Sequence, residues 1–224
     1  MTNFIQNKTH FFDSYDKTRK LFYQSFENTE KKSKGLVLIT HGHGEHSDAY
    51  RHLANFICQE NNMDVLAWDM VGHGRSTGQR GYVGDIHWLT EDLKSIFEIA
   101  LKQNEGQPIF SISHSLGALV QIFLESNKEI PQTSIKGSIF SNPCLALNFT
   151  PPKWKTVAAD MLTKIAPRIT LSNELFPEQL SSDPDYLEEF KSDALRHASI
   201  SPRLYLGMLS LMDRLPVRLS LIHI

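Results

Sequence analysis

The stretch from Pro108 to Val120 constrains the fold more than any other part of this 224-residue sequence. It begins with a short apolar run, reaches Ser115 through Ser113 and His114, and continues into small and apolar residues. This order predicts a β-strand, a tight turn with Ser115 at its tip, and a helix. A serine on such a turn has a sparsely populated backbone conformation, so its neighbours must be small. Ser113 and Gly117 meet this requirement.

Strands and helices alternate along the chain around this stretch. Continuous apolar runs predict buried strands, and apolar residues at helical spacing predict helices. An aromatic, partly alternating segment near the N-terminus predicts a strand that pairs with the region around Phe11 and Phe12. We expect strands at 20–26, 35–40, 64–69 and 134–141, and helices at 48–60 and 86–104. The alternation predicts an α/β fold with a mostly parallel sheet.

The pattern changes in the last third of the chain. From Leu145 to about Asp213 the sequence predicts helices that begin near Pro151, Pro184 and Pro202, and no strand. Loops at the carboxyl ends of parallel strands are where such folds build their sites, so we interpret this block as an inserted helical cap. We therefore expect the first part of the α/β core at 1–143, the cap at 144–213, and the start of the next core strand at 214–224.

Composition narrows the classes of function. A net charge of −2 gives no electrostatic reason to expect a nucleic-acid partner. Cys58 and Cys144 match no metal-binding or redox spacing, which favours two reduced thiols. The N-terminus lacks the apolar run of a signal peptide, and no stretch is long and apolar enough to cross a bilayer. We expect a soluble, cytoplasmic protein.

A second loop supplies what a nucleophilic serine needs. A serine hydroxyl becomes an effective nucleophile when a base takes its proton and amide dipoles stabilise the oxyanion that forms. One such amide belongs to the residue after the serine, here Leu116, and the other to the loop after the first central strand. That loop begins at His41, and its glycines allow a tight backbone path. His43 is well placed to donate the second N–H.

Three loops together resemble one family. Residues 41–47 read HGHGEHS and resemble the H-G-x-G-E-H-S loop of monoacylglycerol lipases and related bacterial lysophospholipases, which are α/β-hydrolases of the serine aminopeptidase S33 type. Residues 69–78 are similar to the D-x-x-G-H-G-x-S-x-G segment of that family. Residues 113–117 read SHSLG where the family has G-H-S-M-G. The cap carries further matches in the family's order at 152–155, 166–168, 192–195 and His197.

The resemblance implies a fold, an activity and a site. The fold is that of the α/β-hydrolases, a mostly parallel sheet with an inserted helical cap. The activity is hydrolysis of a small-molecule lipid ester through an acyl-serine intermediate, with no metal or organic cofactor. Ser115 is the expected nucleophile, and His43 and Leu116 are the expected oxyanion-hole residues. Acyl length, head group and the choice between ester and peptide substrates stay open.

Further residues are expected to support this site rather than to react. We expect Glu45 and His46 to brace the oxyanion loop, Asp69 to shape the turn after its strand, and His114 to pack at the serine turn. The complete set of supporting residues is Gly42, Gly44, Glu45, His46, Asp69, His114 and Gly117.

The remaining catalytic groups depart from the family pattern. In this fold the serine is followed by an acid and then by a histidine. Residues 216–223 resemble the strand before the family's acid, so the resemblance implies that the triad Asp and His are not present in this chain, and we expect the last strands of the sheet to be missing as well. We expect a shortened version of a longer gene product, inactive by itself; a full-length chain without a triad is the alternative. His197 and His223 are the histidines after Ser115, and we assign the base to neither.

Two other functions are compatible with parts of the sequence. The loop from His41 also resembles the T-H-x-H-x-D-H loop of metallo-β-lactamase-fold hydrolases, in which His41, His43, Glu45 and His46 would hold zinc. A catalytically inactive α/β-hydrolase homologue that binds acyl ligands is the second alternative. Labelling of the serine, or stoichiometric zinc, would distinguish these classes.

The first cap helix carries a separate hypothesis. Trp154 begins an apolar stripe that is accompanied by the basic residues Lys153, Lys155, Lys164 and Arg168. A basic amphipathic helix is typical of segments that lie on a lipid surface. The sequence therefore leaves two hypotheses open for this stripe: burial in the core, or peripheral contact of the cap with a membrane or micelle.

Overall fold

A β-sheet forms the centre of the protein. The computed structural model describes residues 4–104, 106–130, 135–147, 152–173 and 176–215. In this part of the chain six strands form the main sheet in the order β1-β2-β4-β3-β5-β6. Their bounds are β1 Ile5–Asp13, β2 Lys20–Asn28, β3 Leu36–Thr40, β4 Asp64–Trp68, β5 Ile109–His114 and β6 Ile135–Ser141. The β1–β2 and β2–β4 pairs are antiparallel, and the pairs among β4, β3, β5 and β6 are parallel. The predicted α/β fold with a mostly parallel sheet is confirmed.

Helices cover both faces of the sheet. A helical segment runs from Ser47 to Asn61, with a 3-10 turn, the α-helix α1 Arg51–Phe56, and a wider turn at Ile57–Asn61. The next helices are α2 Ile86–Gln103 and α3 Ser115–Ser126. α2 starts where the Asp85 side chain accepts a hydrogen bond from the His87 N–H. These elements lie where the sequence predicts them, although the first helix is less regular than its apolar spacing suggests.

The core lies on the two faces of the sheet. β3 shows why, because its residues alternate between the faces: Leu38 joins the cluster beneath α2 and α3, while Val37 and Ile39 join the cluster beneath α1. Trp68 is also fully buried in the larger cluster. Full burial of an aliphatic side chain contributes about 1.5–3 kcal/mol, so both clusters stabilise the sheet substantially.

The cap is mainly helical, as the sequence predicts. Its helices are α4 Lys153–Ile165, α5 Pro184–Ser192 and α6 Pro202–Arg214. Both α5 and α6 have proline in the first turn, where the missing N–H costs no helical hydrogen bond. In α6, Leu204 and Leu211 are buried in the main core, so this helix is packed on the sheet domain.

One expectation for the cap was wrong. Residues Leu171–Ser172 form β7 and Ser199–Ile200 form β8, and the two pair antiparallel. Two-residue strands carry no alternating pattern, and their pairing depends on distant parts of the chain, so the sequence gives no local signal for them. The predicted strand from Pro216 and the predicted helix start at Pro151 lie outside the described residues. The cap boundaries at 144 and 213 stay predictions.

Two further sequence expectations concern thiols and membranes. Cys58 and Cys144 are free thiols, and Cys58 is buried. Among the helices that the structure describes, none has the length and apolar character that crossing a bilayer requires.

An aspartate is buried between α2 and the turn after β1. Asp92 is 1% exposed, and its Oδ1 accepts a hydrogen bond from the Tyr15 N–H at 2.6 Å. Burial raises the pKa of Asp92 to about 7, against the lowering effect of the Tyr15 N–H. A carboxyl group with a pKa raised on folding stabilises the protein only while it is protonated in the folded state.

We predict that Asp92→Asn removes a pH dependence of stability. The Asp92 contribution is complete below the unfolded pKa of about 4 and is lost as the pH rises through about 7. Between pH 5 and pH 8 the unsubstituted protein should therefore lose about 2–3 kcal/mol of unfolding free energy through this group. Asparagine can still accept the Tyr15 N–H and does not ionise. Urea unfolding of both proteins at the two pH values measures the difference, and equal losses in both would contradict the assignment.

Candidate functional site

Ser115 lies at a strained turn between β5 and α3. Its φ is +48°, a left-handed conformation that is unfavourable for a residue other than glycine. The strand ends at His114 and the helix begins at Ser115, so no connecting loop separates them. This is the strand, turn and helix arrangement that the sequence predicts. The side chain at such a turn is presented at the carboxyl edge of the sheet.

Gly117 allows α3 to approach β3 closely. A Cβ atom at this position would lie 2.5 Å from the carbonyl oxygen of His41 and 2.7 Å from Cγ2 of Thr40. These distances are shorter than any real Cβ contact, so a larger residue would push the helix away from the strand end. The close approach keeps the start of α3 beside the loop that follows β3.

A buried polar network explains why serine is tolerated at position 113. The Ser113 hydroxyl donates a hydrogen bond to Oε1 of Gln121 at 2.5 Å. The Gln121 amide in turn donates to the hydroxyl of Ser111 at 2.5 Å and to that of Ser138 at 3.2 Å. Ser113 and Gln121 are both fully buried. A buried hydroxyl without a partner would cost about 1–3 kcal/mol, so Gln121 compensates for the absent glycine.

The oxyanion loop, residues 41–46, is in contact with the serine turn. A Cβ atom on Gly42 would lie 3.1 Å from Cβ of Ser115 and 2.9 Å from Cδ2 of His114. His114 is held by its Nδ1, which lies 3.0 Å from the carbonyl oxygen of Ser141 on β6. The loop and the turn are thus adjacent, as the two amide donors of an oxyanion hole require.

Glu45 folds back onto the start of the same loop. Its Oε2 accepts hydrogen bonds from the Gly42 N–H at 3.0 Å and from the Tyr50 hydroxyl at 2.8 Å. Burial acts to raise the pKa of Glu45, but the proximity of His114 and these two hydrogen bonds outweigh it and lower the pKa. Glu45 is therefore an ionised brace within the loop at neutral pH.

His41 is fixed by two backbone groups. Its Nε2 accepts the Met70 N–H at 3.0 Å, so Nδ1 carries the ring proton and donates to the Gly42 carbonyl oxygen at 2.6 Å. Burial lowers the pKa of His41, which keeps the ring neutral. The ring thus ties the oxyanion loop to the segment after β4.

Asp69 connects the same two regions. Its carboxylate is fully buried and accepts the Ser47 N–H at 2.6 Å and the Arg75 N–H at 2.7 Å. Its carbonyl oxygen accepts the hydroxyl of Ser76 at 2.6 Å. These contacts are with the protein's own loops.

The cap reaches the oxyanion loop at several points. Nε2 of His46 lies 2.7 Å from Oδ2 of Asp193, and the His197 N–H donates to the Gly44 carbonyl oxygen at 3.1 Å. Gly44 has a positive φ of 75°, and a Cβ there would overlap the carbonyl oxygen of His197. The cap and the loop are therefore packed backbone to backbone at this point.

Three histidine rings meet where the cap contacts the sheet domain, one of them from the cap itself. The ring centroids of His43 and His73 are 5.4 Å apart, those of His43 and His197 are 5.3 Å apart, and those of His73 and His197 are 4.7 Å apart. Burial lowers the pKa of His43 to about 4, that of His197 to about 3, and that of His73 well below the usual range. All three rings are neutral at physiological pH, so they pack against one another without repulsion.

A cavity of about 310 Å³ lies beside Ser115. The oxyanion loop, the serine turn and the cap contribute to its wall, and Leu180, Phe190 and Ala198 make part of the cap side apolar. Its size and mixed lining are typical of small-molecule sites.

The structure brings most of the predicted site residues together. Those that line the cavity are Ser115, Gly42, His43, Gly44, Glu45 and His114. Leu116 and Gly117 follow directly on α3, and the Leu116 side chain is buried in the core. His46, the last residue of the loop, and Asp69, which follows β4, are not among the residues that line the cavity, and they make the contacts described above. Sequence reasoning did not identify Gln121 or Arg196. Gln121 is one of many residues on an apolar helix and shows its role only through its contact with Ser113 on β5, and Arg196 functions through Glu45, which is distant along the chain.

The geometry does not favour the zinc alternative. Both ring nitrogens of His41 are engaged by backbone groups, Glu45 accepts from Gly42 and Tyr50, and Nε2 of His46 faces Asp193. Among the described residues, no group of three or more His, Cys, Asp or Glu side chains is arranged to hold a metal ion.

Comparison with known proteins gives consistent matches. The family model described as serine aminopeptidase, S33, matches residues 31–224. Human monoglyceride lipase is 30% identical over 167 residues, which are 72% of this chain and 52% of that protein. Phospholipase YtpA of Bacillus subtilis is 26% identical over 178 residues, which are 80% of this chain and 67% of that protein.

A solved structure agrees with these matches. The crystal structure of the Paleococcus ferrophilus monoacylglycerol lipase is similar with a TM-score of 0.73 and 31% identity, and the match covers 87% of this chain and 70% of that one. The chain spans about half the length of the human relative.

We predict that Gly117→Ala destabilises the protein, although alanine is the better helix former. The new Cβ would overlap the His41 carbonyl, and such overpacking costs about 1–3 kcal/mol. A net loss of about 2 kcal/mol should lower Tm by about 4–8 °C. Gly137→Ala is the control, because its Cβ would meet Phe110 at an ordinary 3.5 Å. Thermal unfolding of both variants measures the effect, and an unchanged Tm for Gly117→Ala would contradict the close approach.

Proposed function

The chain belongs to the serine aminopeptidase S33 family of hydrolases, and we propose that it is a carboxylic ester hydrolase that acts on lipid esters through Ser115. One observation carries the proposal. Ser115 has a strained backbone conformation at the cavity wall, directly beside the oxyanion loop. That juxtaposition suits acyl transfer, which needs a nucleophile and two amide donors around one carbonyl group.

The proposed reaction has two steps. Ser115 Oγ attacks the ester carbonyl and gives its proton to a general base, while the backbone N–H groups of His43 and Leu116 stabilise the oxyanion. The ester C–O bond breaks, and the alcohol leaves with a proton from the same base. Water then hydrolyses the acyl-serine and releases the fatty acid. Each oxyanion donor is typically worth about 3–4 kcal/mol.

We assign the general base to no residue between 1 and 224. His197 lines the same cavity, but burial and the neighbouring His43 lower its pKa to about 3. A base with such a pKa accepts protons poorly at neutral pH. His197 is therefore better explained by its packing against His43 and His73 than by proton transfer.

The substrate class that fits best is a monoacylglycerol or a lysophospholipid. The apolar cap residues Leu180 and Phe190 give the cavity a wall that suits an acyl chain. The relatives named monoglyceride lipase and phospholipase support the same two classes. No organic cofactor or metal takes part in the proposed reaction.

The cap also carries an exposed apolar surface, which we call the α4 stripe. Its members follow one another at intervals of three or four residues: Trp154, Val157, Met161 and Ile165. Each is more than half exposed, and Ile165 reaches 75%. This exposure favours contact of the stripe with a membrane or micelle over burial of the stripe in the core. The neighbouring lysines favour a surface that carries negative charge.

We predict that Ser115→Ala abolishes hydrolysis and covalent labelling. The 224-residue chain and the complete reading frame of its gene are assayed with a monoacylglycerol, a lysophospholipid and a fluorophosphonate probe. The complete product should hydrolyse at least one ester and be labelled at Ser115, and Ser115→Ala should reduce turnover at least about 1,000-fold.

Ser126→Ala, at the other end of α3, is the matched control and should leave turnover unchanged. Hydrolysis that survives Ser115→Ala would refute the proposed nucleophile. Acyl-ligand binding without turnover by the complete product would instead favour the non-catalytic homologue, and chelator-sensitive hydrolysis with bound zinc would favour the metallo-hydrolase.

We predict that replacing Trp154 and Ile165 together by serine weakens membrane binding at least about tenfold. The two side chains are 67% and 75% exposed, so folding should be little affected. Co-sedimentation with vesicles of phosphatidylcholine and phosphatidylglycerol measures the affinity. Phe56→Ser removes a 58% exposed aromatic side chain from α1 and is the control. Equal binding by all three proteins would exclude the α4 stripe as a lipid-contact surface.

A further inference from the structure

A short segment of the cap, residues 193–197, holds the oxyanion loop at three points. Asp193 meets His46, Arg196 meets Glu45, and the backbone of His197 meets Gly44. We infer that this cap segment sets the position of the oxyanion loop, and that Arg196 is a positioning residue that functions through Glu45. The inference rests on the proposed role of the loop in binding the oxyanion.

The Glu45 side chain contacts the backbone of its own loop. Oε2 of Glu45 accepts the Gly42 N–H at 3.0 Å, one residue before the proposed amide donor His43. A hydrogen bond to a carboxylate is shorter and stronger than one to a neutral acceptor. The Gly42 N–H belongs to the His41–Gly42 peptide, so the position and the charge of the Glu45 side chain hold the peptide that directly precedes the proposed donor amide of His43.

Arg196 of the cap balances the negative charge of Glu45. Nη1 of Arg196 lies 3.6 Å from Oε1 of Glu45, the oxygen that does not bind Gly42, and Nε lies 3.7 Å from Oδ2 of Asp193. The Arg196 side chain is only 10% exposed, and its guanidinium lies over the Phe190 ring at 4.3 Å. A buried cation requires nearby carboxylates, so Arg196, Glu45 and Asp193 hold one another in place.

The cap segment also contacts the two loop residues that flank Glu45. Asp193 binds the buried His46 at 2.7 Å, and the His197 N–H binds the Gly44 carbonyl oxygen at 3.1 Å. Both loop residues lie within two positions of Glu45. Movement of the cap segment away from the sheet would thus break contacts with three successive loop residues at once. It would also loosen the hold of Glu45 on the Gly42 N–H, next to the proposed donor amide of His43.

Hydrogen exchange of the Gly42 amide tests the inference directly. In Arg196→Met, which keeps the side-chain bulk but removes the charge, this amide should exchange at least tenfold faster than in the unsubstituted protein. Arg203→Met is the matched control, because Arg203 also ties the cap to the core, through the Gly84 carbonyl at 3.0 Å, without contacting the loop. Equal exchange at Gly42 in the unsubstituted protein and Arg196→Met would overturn the inference.

The kinetic arm uses the complete reading frame with its preferred ester. Arg196→Met should lower kcat at least tenfold and change KM less than threefold, whereas Arg203→Met should leave kcat unchanged. Arg196→Lys, which keeps the charge, should recover part of kcat. Equal losses in the lysine and methionine variants, or a loss confined to KM, would contradict a positioning role through charge.

The two arms separate this inference from the proposed function. If the unsubstituted protein hydrolyses no ester, the proposed function fails, but the exchange of the Gly42 amide still decides whether the cap segment holds the loop. If Arg196→Met does not fold, Glu45→Gln and Asp193→Asn replace it, since both keep the side-chain shape. Each should then speed Gly42 exchange at least threefold, and protection equal to that of the unsubstituted protein in both would overturn the inference.

Discussion

The close approach of α3 to the end of β3 is the constraint on which the site depends. It requires a residue without a side chain at position 117, and it forces Ser115 into a left-handed conformation with no intervening loop. The oxyanion loop leaves β3 at this same point, so the packing that strains Ser115 also brings Gly42 beside it. Local strain is maintained here because most of α3 and the alternate residues of β5 that face it are buried.

Polar groups beneath the turn stabilise that packing. Ser113 and Ser111 on β5 face Gln121 of α3 and form hydrogen bonds where a typical sheet interior would be apolar. A buried network of this kind rigidifies its surroundings when its members are paired. The serine that breaks the usual motif is thus compensated by a glutamine two turns along the helix.

Much of this arrangement can be predicted from the sequence. The contacts that cannot be predicted are those between residues that are distant along the chain. Apolar periodicity predicts the strands of the sheet and the helices, and the order of residues 108–120 predicts the serine turn. Each of these signals lies within one short stretch of the chain. The pairing of β7 with β8 and the Arg196–Glu45 contact depend on residues that meet only after the cap has folded. The burial of His197 beside His43 belongs to the same class, since a lone histidine in a helical block carries no sign of its neighbours.

The cap is therefore part of the site's framework as well as a wall of the cavity. A cover that only excluded water would need apolar contacts with the sheet domain, and Leu204 and Leu211 already supply these from α6. The segment at 193–197 adds the ion pair of Arg196 with Glu45 and two hydrogen bonds, one between His46 and Asp193 and one from the His197 N–H to Gly44. Hydrogen bonds are directional and fix the geometry of their partners. Charged contacts are costly to bury unless each group has a partner. These contacts are concentrated on residues 44–46 of the oxyanion loop, which indicates that they fix the position of the loop in addition to covering it.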